Sequence, residues 1–334
     1  MKKKTLGIGI VGLGRILPKH LDSSIKQIDS LKLAAVCDEN KEAAKALAKR
    51  EKVPYYTKYQ DLVNDNNVDV VSVLTPNYLH FEIGMYTAKN GKHCIMEKPI
   101  ALNYKNALQL VSAFKKHKKI LFPVLQNRYY PPLRLVKEYV EQGTLGKILT
   151  AVLSVHWTRP QEYYDESKWK GTKKYDGGSL LTQAIHFIDA MQWILGRAKS
   201  VIAKVDTVGH KIQVEDIANA IIDLQSGTRV NFDFTVCTYP HNLEASLTIL
   251  GEAGSIKIGG SGMNVIDFWE VKNTPPPYVS VGLANNHKLI YENAVDVLRD
   301  HKQNFIKAEE ALESLRLIDA ILLSSKKKKE IFLK

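Results

Sequence analysis

Cysteine is scarce in this chain. Cys37, Cys94 and Cys237 are an odd number, lie far apart and form no Cys-x-x-Cys pair. That argues against a disulfide framework and a zinc-binding pattern, and it points to reduced thiols in a cytoplasmic protein. Long hydrophobic runs are missing as well, so no segment reads as a membrane span. Lys2-Lys3-Lys4 followed by Thr5–Val11 has the outline of a signal peptide, but the apolar stretch is short, broken by Gly7 and Gly9, and lacks a cleavage site. Acidic residues are outnumbered, 35 against 47 basic, for a net charge of +12. Part of the excess sits in solvated runs at Lys2–Lys4 and Lys326–Lys329; the remainder favours an anionic ligand such as a nucleotide. No zinc-finger or RRM motif is present, which argues against nucleic acid as a partner.

What is present suits two domains: 334 residues, 45% hydrophobic and 25% charged. Over the first 125 residues, strand and helix patterns alternate. Strands are expected at Thr5–Val11, Leu31–Cys37, Val68–Leu74, His93–Met96 and Ile120–Val124. Helices are expected at Ile16–Ser30, Lys41–Lys49, Tyr78–Asn90 and Tyr104–His117. Continuous Val/Ile/Leu strands separated by helices predict a parallel sheet covered on both faces. After a helix at Leu133–Gln142, strand patterns follow one another: Ile148–His156, Val201–Val208, Val214–Leu224, Arg229–Val236, Leu243–Leu250, Ser255–Ile258 and Val265–Trp269. These predict an antiparallel sheet, interrupted by a helix at Gly178–Leu195. Thr274-Pro275-Pro276-Pro277 reads as a stiff loop, and helices at His287–Arg299 and Glu309–Leu323 close the chain. The boundary falls between residues 1–125 and 126–334.

Gly12-Leu13-Gly14 follows the first strand. Gly12 permits the tight turn, and Gly14 lets a pyrophosphate approach the backbone where the helix opens. Leu17 stands where the third glycine of the fingerprint usually sits, which implies wider helix–strand spacing. Asp38 ends the second strand, 24 residues after Gly14. A carboxylate there accepts from both adenosine ribose hydroxyls and repels a 2′-phosphate, favouring NAD over NADP; the alternative is an ordinary turn aspartate. Thr75-Pro76-Asn77 ends the third strand at a crevice-lining loop. Glu97-Lys98-Pro99 follows His93–Met96, and a partly desolvated lysine there suits proton transfer.

The segment Asp176–Asp189 carries a second candidate. Leu181, Ala184, Ile185, Ile188 and Leu195 form an apolar stripe in helical projection, while Thr182, His186, Asp189 and Trp193 fall on another face. Asp189 is expected to orient the His186 imidazole. A purely structural histidine is the competing reading.

Together these residues resemble the glucose–fructose oxidoreductase / inositol dehydrogenase (Gfo/Idh/MocA) family. The matching features are Gly12-x-Gly14 with His20, Asp38, Thr75-Pro76-Asn77-x-x-His80, Glu97-Lys98-Pro99 and Gly177-Gly178…His186-x-x-Asp189, spread over nearly the whole chain in order. A narrower likeness, to UDP-N-acetylglucosaminuronate 3-dehydrogenases, lies in Gln126-Asn127-Arg128, Trp157-x-Arg159, Tyr164-Asp165, Trp169-x-Gly171-Thr172 and Tyr239-Pro240-x-Asn242-Leu243-Glu244. Thr182 departs from the family's usual Asp or Asn, Ala184 from a glycine and Leu17 from a small residue.

The resemblance implies an N-terminal Rossmann domain joined to an open, mostly antiparallel sheet domain with helices on one face. It implies an NAD-dependent dehydrogenase oxidising a CH–OH group, C3 of a UDP-linked N-acetyl amino sugar or its uronic acid, for bacterial surface polysaccharides. Lys98, His186 and Thr182 are the implied catalytic residues, with the base left open between Lys98 and His186. Gly12, Gly14, Arg15, Ile16, Asp38, Thr75, Pro76, Asn77, His80, Glu97, Lys98 and Gln126 are implied for the cofactor. Asn127, Arg128, Arg159, Tyr164, Trp169, Thr182, Gln183 and His186 are implied for the substrate, and no metal is expected. Tyr163, Tyr164 and Trp169 suit either ring stacking or core packing; Lys168 and Lys170 suit either an anion or solvent. The competing functions are a free-sugar or inositol dehydrogenase and a non-catalytic NAD-sensing regulator. A homo-oligomer, dimer or tetramer, is expected through the outer sheet face, read as Val201, Ala203, Val205, Phe232, Phe234 and Val236.

Overall fold

Six short strands form the first sheet: β1 (Leu6–Val11), β2 (Leu31–Cys37), β3 (Tyr55–Tyr56), β4 (Val70–Val73), β5 (His93–Met96) and β6 (Leu121–Pro123). All pair in parallel, in the order β3-β2-β1-β4-β5-β6. Ile8, Ile10, Val70, Val71, Val73, Cys94, Ile95 and Met96 are buried, as a sheet covered on both faces requires. The connecting helices are α1 (Leu17–Leu21), α2 (Lys41–Glu51), α3 (Tyr59–Asn64), α4 (Asn77–Lys89) and α5 (Tyr104–Lys116). Asn40 caps α2 and Asn103 caps α5, each side chain accepting a backbone N–H. On α5 the buried residues Ala107, Leu110, Val111 and Phe114 recur at helical spacing.

The computed structural model describes residues 5–276 and 285–333, so Lys2–Lys4 and Pro277 lie outside the described residues. Two expectations change in this half. The helix expected over Ile16–Ser30 stops at Leu21 and gives way to a 3-10 turn at Ile25–Gln27. The Ser24 hydroxyl donates to the Lys19 carbonyl, a local bond that competes with continued helix. β3 and α3 were not expected; two and six residues are too short to establish a period.

The second sheet has eight strands: β7 (Ile148–His156), β8 (Ala198–Asp206), β9 (Ile217–Leu224), β10 (Arg229–Thr235), β11 (Glu244–Gly251), β12 (Gly254–Gly259), β13 (Val265–Val271) and β14 (Ile331–Phe332). Their order is β13-β12-β11-β7-β10-β9-β8-β14, antiparallel throughout except the β7–β10 pair. Its helices are α6 (Pro131–Glu141), α7 (Gln161–Asp165) and α8 (Ile185–Leu195), with a π-helical turn at Leu180–Ala184 leading into α8. α9 (Asn286–Asp300) and α10 (Ala308–Lys327) follow. Two further expectations fail here. α8 has no single apolar stripe, because His186, Asp189 and Gln192 are as buried as their apolar neighbours. Val201, Phe232, Phe234 and Val236 face the core and are at most 2% exposed, so they are not the outer face.

Among the described residues, no helix is long and apolar enough to cross a membrane. The chain divides into two compact units, Met1–Gln126 with Asn285–Leu312, and Asn127–Ala284 with Glu313–Lys334. α9 therefore joins the first unit, although the expected boundary assigned everything after residue 125 to the second.

Candidate active site

In the first unit the strand order reverses beside β1, where β2 leads one way and β4 the other. Ligands of such sheets sit beyond the strand ends at that point. Gly12 turns the chain there with φ +96°, and a Cβ on it would stand 2.7 Å from the Leu74 carbonyl carbon at the end of β4. No other residue fits that turn. Gly14 has nothing within 4 Å of where its Cβ would be, so its backbone is open to a phosphate. Arg15 beside it is exposed and Ile16 half-buried. Asp38 organises the loop: one oxygen accepts from Leu13 N (2.8 Å) and the other from Asn40 N (2.9 Å). Each oxygen keeps acceptor capacity for a ribose hydroxyl. These features fit a dinucleotide.

Thr75 and Pro76 are half-buried and Asn77 is buried at the start of α4. His80 is 1% exposed, with Nδ1 2.7 Å from the Pro99 carbonyl and Nε2 2.8 Å from the Thr75 carbonyl. It braces the two loops that carry Thr75 and Pro99. Carbonyls only accept, so a neutral ring donates to one at a time, and burial lowers the imidazole pKa. Glu97 is likewise engaged inside the protein. It lies 2.8 Å from His20 Nε2 and accepts from Lys98 N at 3.1 Å. Burial alone would raise this carboxyl, but the hydrogen bond from His20 and the neighbouring His287 ring hold it well below the usual carboxylate range. Lys98 itself is half-buried, as is Gln126.

In the second unit, Gly178 (φ +113°) precedes the π turn, and a Cβ there would stand 2.5 Å from Glu215 Oε1. That oxygen accepts from Leu180 N at 2.9 Å, fixing the start of the turn. Burial pushes the Glu215 carboxyl up to about 7. Thr182 and Gln183 lie on the π turn, with Thr182 Oγ1 donating to the Gly178 carbonyl (3.1 Å). Arg159 donates to Gln183 Oε1 and to the Thr158 carbonyl, and its guanidinium lies 4.9 Å from the Trp157 ring centre and 5.5 Å from that of Tyr163. Lys170 Nζ sits 4.1 Å from the Tyr163 ring centre and pairs with Glu166 at 2.8 Å. Cations and aromatic faces thus gather beside Thr182.

Other expected residues are placed differently. Asp189 does not serve His186: both its oxygens bind Arg128 at 2.8 Å, and Ser314 Oγ adds 3.3 Å. Arg128 is 3% exposed and forms a buried ion pair with Asp189. Asn127 is buried, and His186 is 7% exposed on α8. Tyr164 is 5% exposed with its hydroxyl 3.4 Å from Ser179 Oγ and its ring edge-on to His210, so it packs in the interior. Trp169 is half-buried and Lys168 exposed. Beneath Tyr164, His210, Asp216 and Cys237 cluster, but the Asp216 oxygens already accept N–H groups from Val208, Gly209 and His210. Residues not foreseen are Ser72, Glu215, His287 and Tyr291. His287 and Tyr291 sit four apart on one helix, a legible pair whose distant partners were not.

The sequence pattern of the oxidoreductase family NAD-binding Rossmann fold matches residues 6–124, and that of the family's C-terminal alpha/beta domain matches residues 137–333. The chain is similar to the WlbA dehydrogenase from Bordetella pertussis, solved with NADH and UDP-GlcNAcA, at 34% identity, TM-score 0.92 and 99% coverage of both chains. The WlbA enzyme of Chromobacterium violaceum, with the same two ligands, gives 34% identity, TM-score 0.93, and 100% and 97% coverage. An inositol 2-dehydrogenase/D-chiro-inositol 3-dehydrogenase from Lactiplantibacillus plantarum is 30% identical over 260 residues, 75% of this chain and 71% of that protein. The glycine loop with Asp38, the Lys98 turn and the helix bearing His186 are thus parts of an NAD-dependent dehydrogenase, and the chain belongs to the Gfo/Idh/MocA oxidoreductase family.

Proposed function

We propose that this enzyme oxidises the C3 hydroxyl of UDP-N-acetylglucosaminuronate or a closely related UDP-amino sugar. The observation that carries the reading is the cluster of Arg159, Lys170, Tyr163 and Trp157 beside Thr182 and Gln183. A UDP-uronate brings a diphosphate, a carboxylate and a uracil ring. Guanidinium binds the anions in bidentate fashion, and aromatic faces take the ring. A neutral polyol such as inositol carries neither an anionic group nor an aromatic ring for them to engage. The similarity to the WlbA enzymes over essentially the full chain supports the same choice.

Oxidation removes a hydride and a proton from the carbinol, leaving a ketone. NAD accepts the hydride when bound. The chain's own work is to orient the hydroxyl and take its proton. Lys98 and His186 are the two candidate bases, and the Thr182 hydroxyl is the candidate for orienting the carbinol. The adenosine ribose falls to Asp38. Arg15, Ile16, Thr75, Pro76, Asn77 and Gln126 are proposed along the rest of the cofactor, and Asn127 and Trp169 along the sugar nucleotide. The same reading places the enzyme in the cytoplasm, in sugar synthesis for surface polysaccharides.

The test is NADH formation with UDP-GlcNAcA against myo-inositol, each with and without 2-oxoglutarate to recycle bound cofactor. Turnover with UDP-GlcNAcA and none with inositol is expected. The reverse preference would establish the free-polyol reading. Tight NAD binding with no turnover of either would favour a sensor.

A further inference from the structure

Glu97 is held by more groups than a turn carboxylate requires. His20, at the end of α1, places Nε2 2.8 Å from Glu97 Oε1 and Nδ1 2.9 Å from the Tyr291 hydroxyl on α9. The Tyr291 hydroxyl lies 2.7 Å from Ser72 Oγ on β4. His287, one turn before Tyr291, places Nε2 3.7 Å from the same Glu97 oxygen. Its ring meets His20 edge-on at 5.1 Å. The other Glu97 oxygen accepts the Lys98 backbone N–H. His20 and Tyr291 are fully buried and His287 nearly so.

The direction of this chain follows from what each group can do. A carboxylate only accepts, so His20 Nε2 carries the proton. Burial lowers the His20 imidazole pKa against the pull of Glu97, so the ring is neutral and Nδ1 accepts from Tyr291 O–H. The Tyr291 oxygen then accepts from Ser72. The charged or titratable groups facing His20 are Glu97, His287, Lys19 and Tyr291; those facing Glu97 are His20, His287, His80 and Tyr291. Buried polar chains of this kind cost stability relative to packed apolar side chains. What they supply is a single geometry when every member is paired.

We propose that His20, His287 and Tyr291 are positioning residues for Lys98, locking one oxygen of the Glu97 carboxylate so that the other fixes the Lys98 backbone. This rests on Lys98 belonging to the catalytic site. Tyr291→Phe keeps the ring and deletes the hydroxyl. It is expected to lower kcat about tenfold while KM for NAD and UDP-GlcNAcA stays within about twofold. His287→Ala is expected to behave alike, and His287→Gln, which retains a donor, to recover most of the loss. A second arm needs no turnover: histidine NMR with ¹⁵N labelling on the NAD-loaded protein. His20 is expected to remain a neutral Nε2–H tautomer from about pH 6 to about pH 8 and to lose that single form in Tyr291→Phe. Wild-type kcat in Tyr291→Phe, or His287→Gln no better than His287→Ala, overturns the proposal. If wild-type enzyme does not turn over UDP-GlcNAcA, the substrate reading fails by itself, and a mixed or cationic His20 in the NMR arm still decides against the network.

Discussion

Arg159 joins two kinds of contact in one side chain. Its donors reach Gln183 and the Thr158 carbonyl, and its flat face lies over Trp157 and Tyr163. An ammonium reproduces the charge but not the fork or the stacking. Arg159→Ala should raise KM for UDP-GlcNAcA at least about tenfold and leave the NAD dissociation constant unchanged, and Arg159→Lys should recover only part of it. Steady-state kinetics with cofactor titration reads both. Trp157 and Arg159 were legible as neighbours because Trp157-x-Arg159 places both residues on one stretch. The partner of Arg128 was not legible, because Asp189 is 61 residues away and no local pattern records an ion pair at that distance. His80 was legible as a motif residue, but its work, bridging two carbonyls, depends on loops that meet only in the folded unit.

At the scale of elements, the π turn at Leu180–Ala184 is the feature that sequence projection could not supply. A helical wheel assumes one period throughout, and this turn inserts a residue just where Thr182 and Gln183 are displayed. The paired glycines before it were visible; the reason for Gly178 was not, because it is the Glu215 carboxyl. That carboxyl titrates near 7 in the fold against an ordinary 4.5. Its folded-state pKa is raised, so its contribution to stability is complete below pH about 4.5 and is lost as pH rises through about 7, on the order of 3 kcal/mol in all. Glu215→Gln should therefore flatten the decline in urea-unfolding stability between about pH 5 and about pH 8. Gly178→Ala should cost several kcal/mol by driving a Cβ into that carboxyl at positive φ. An unchanged pH slope in Glu215→Gln would remove Glu215 from this account. The longer strands and helices were legible to within a few residues because their periods run long enough to read, whereas β3, α3 and β14 are too short.

For the whole molecule, the second sheet's outer face matters most. Register follows one row of neighbours across seven strands: Ile202, Ile221, Asn231, Val152, Thr248, Lys257 and Phe268. Ile202, Ile221 and Phe268 are 49%, 45% and 49% exposed. The sequence showed two alternating faces but assigned the wrong one to the outside, because a period of two carries no sign and a shift of one residue exchanges the faces. If the enzyme assembles through this row, Ile202→Asp with Ile221→Asp should convert an oligomer to monomer in sedimentation while the protein stays folded. A wild-type monomer would remove the interface. The place of α9 in the first unit was equally illegible, since reading in chain order gives no sign that a helix near residue 290 completes a unit begun at residue 5.

The central claim is that NAD takes the hydrogen from C3 of a nucleotide sugar. Incubation of the enzyme with NAD and UDP-GlcNAcA deuterated only at C3, followed by mass spectrometry of the nicotinamide, tests it directly. Deuterium in the reduced cofactor, absent in Lys98→Met and His186→Ala proteins that still bind NAD, is the predicted result. Reduced cofactor without deuterium, or no reduction with or without 2-oxoglutarate, would contradict it.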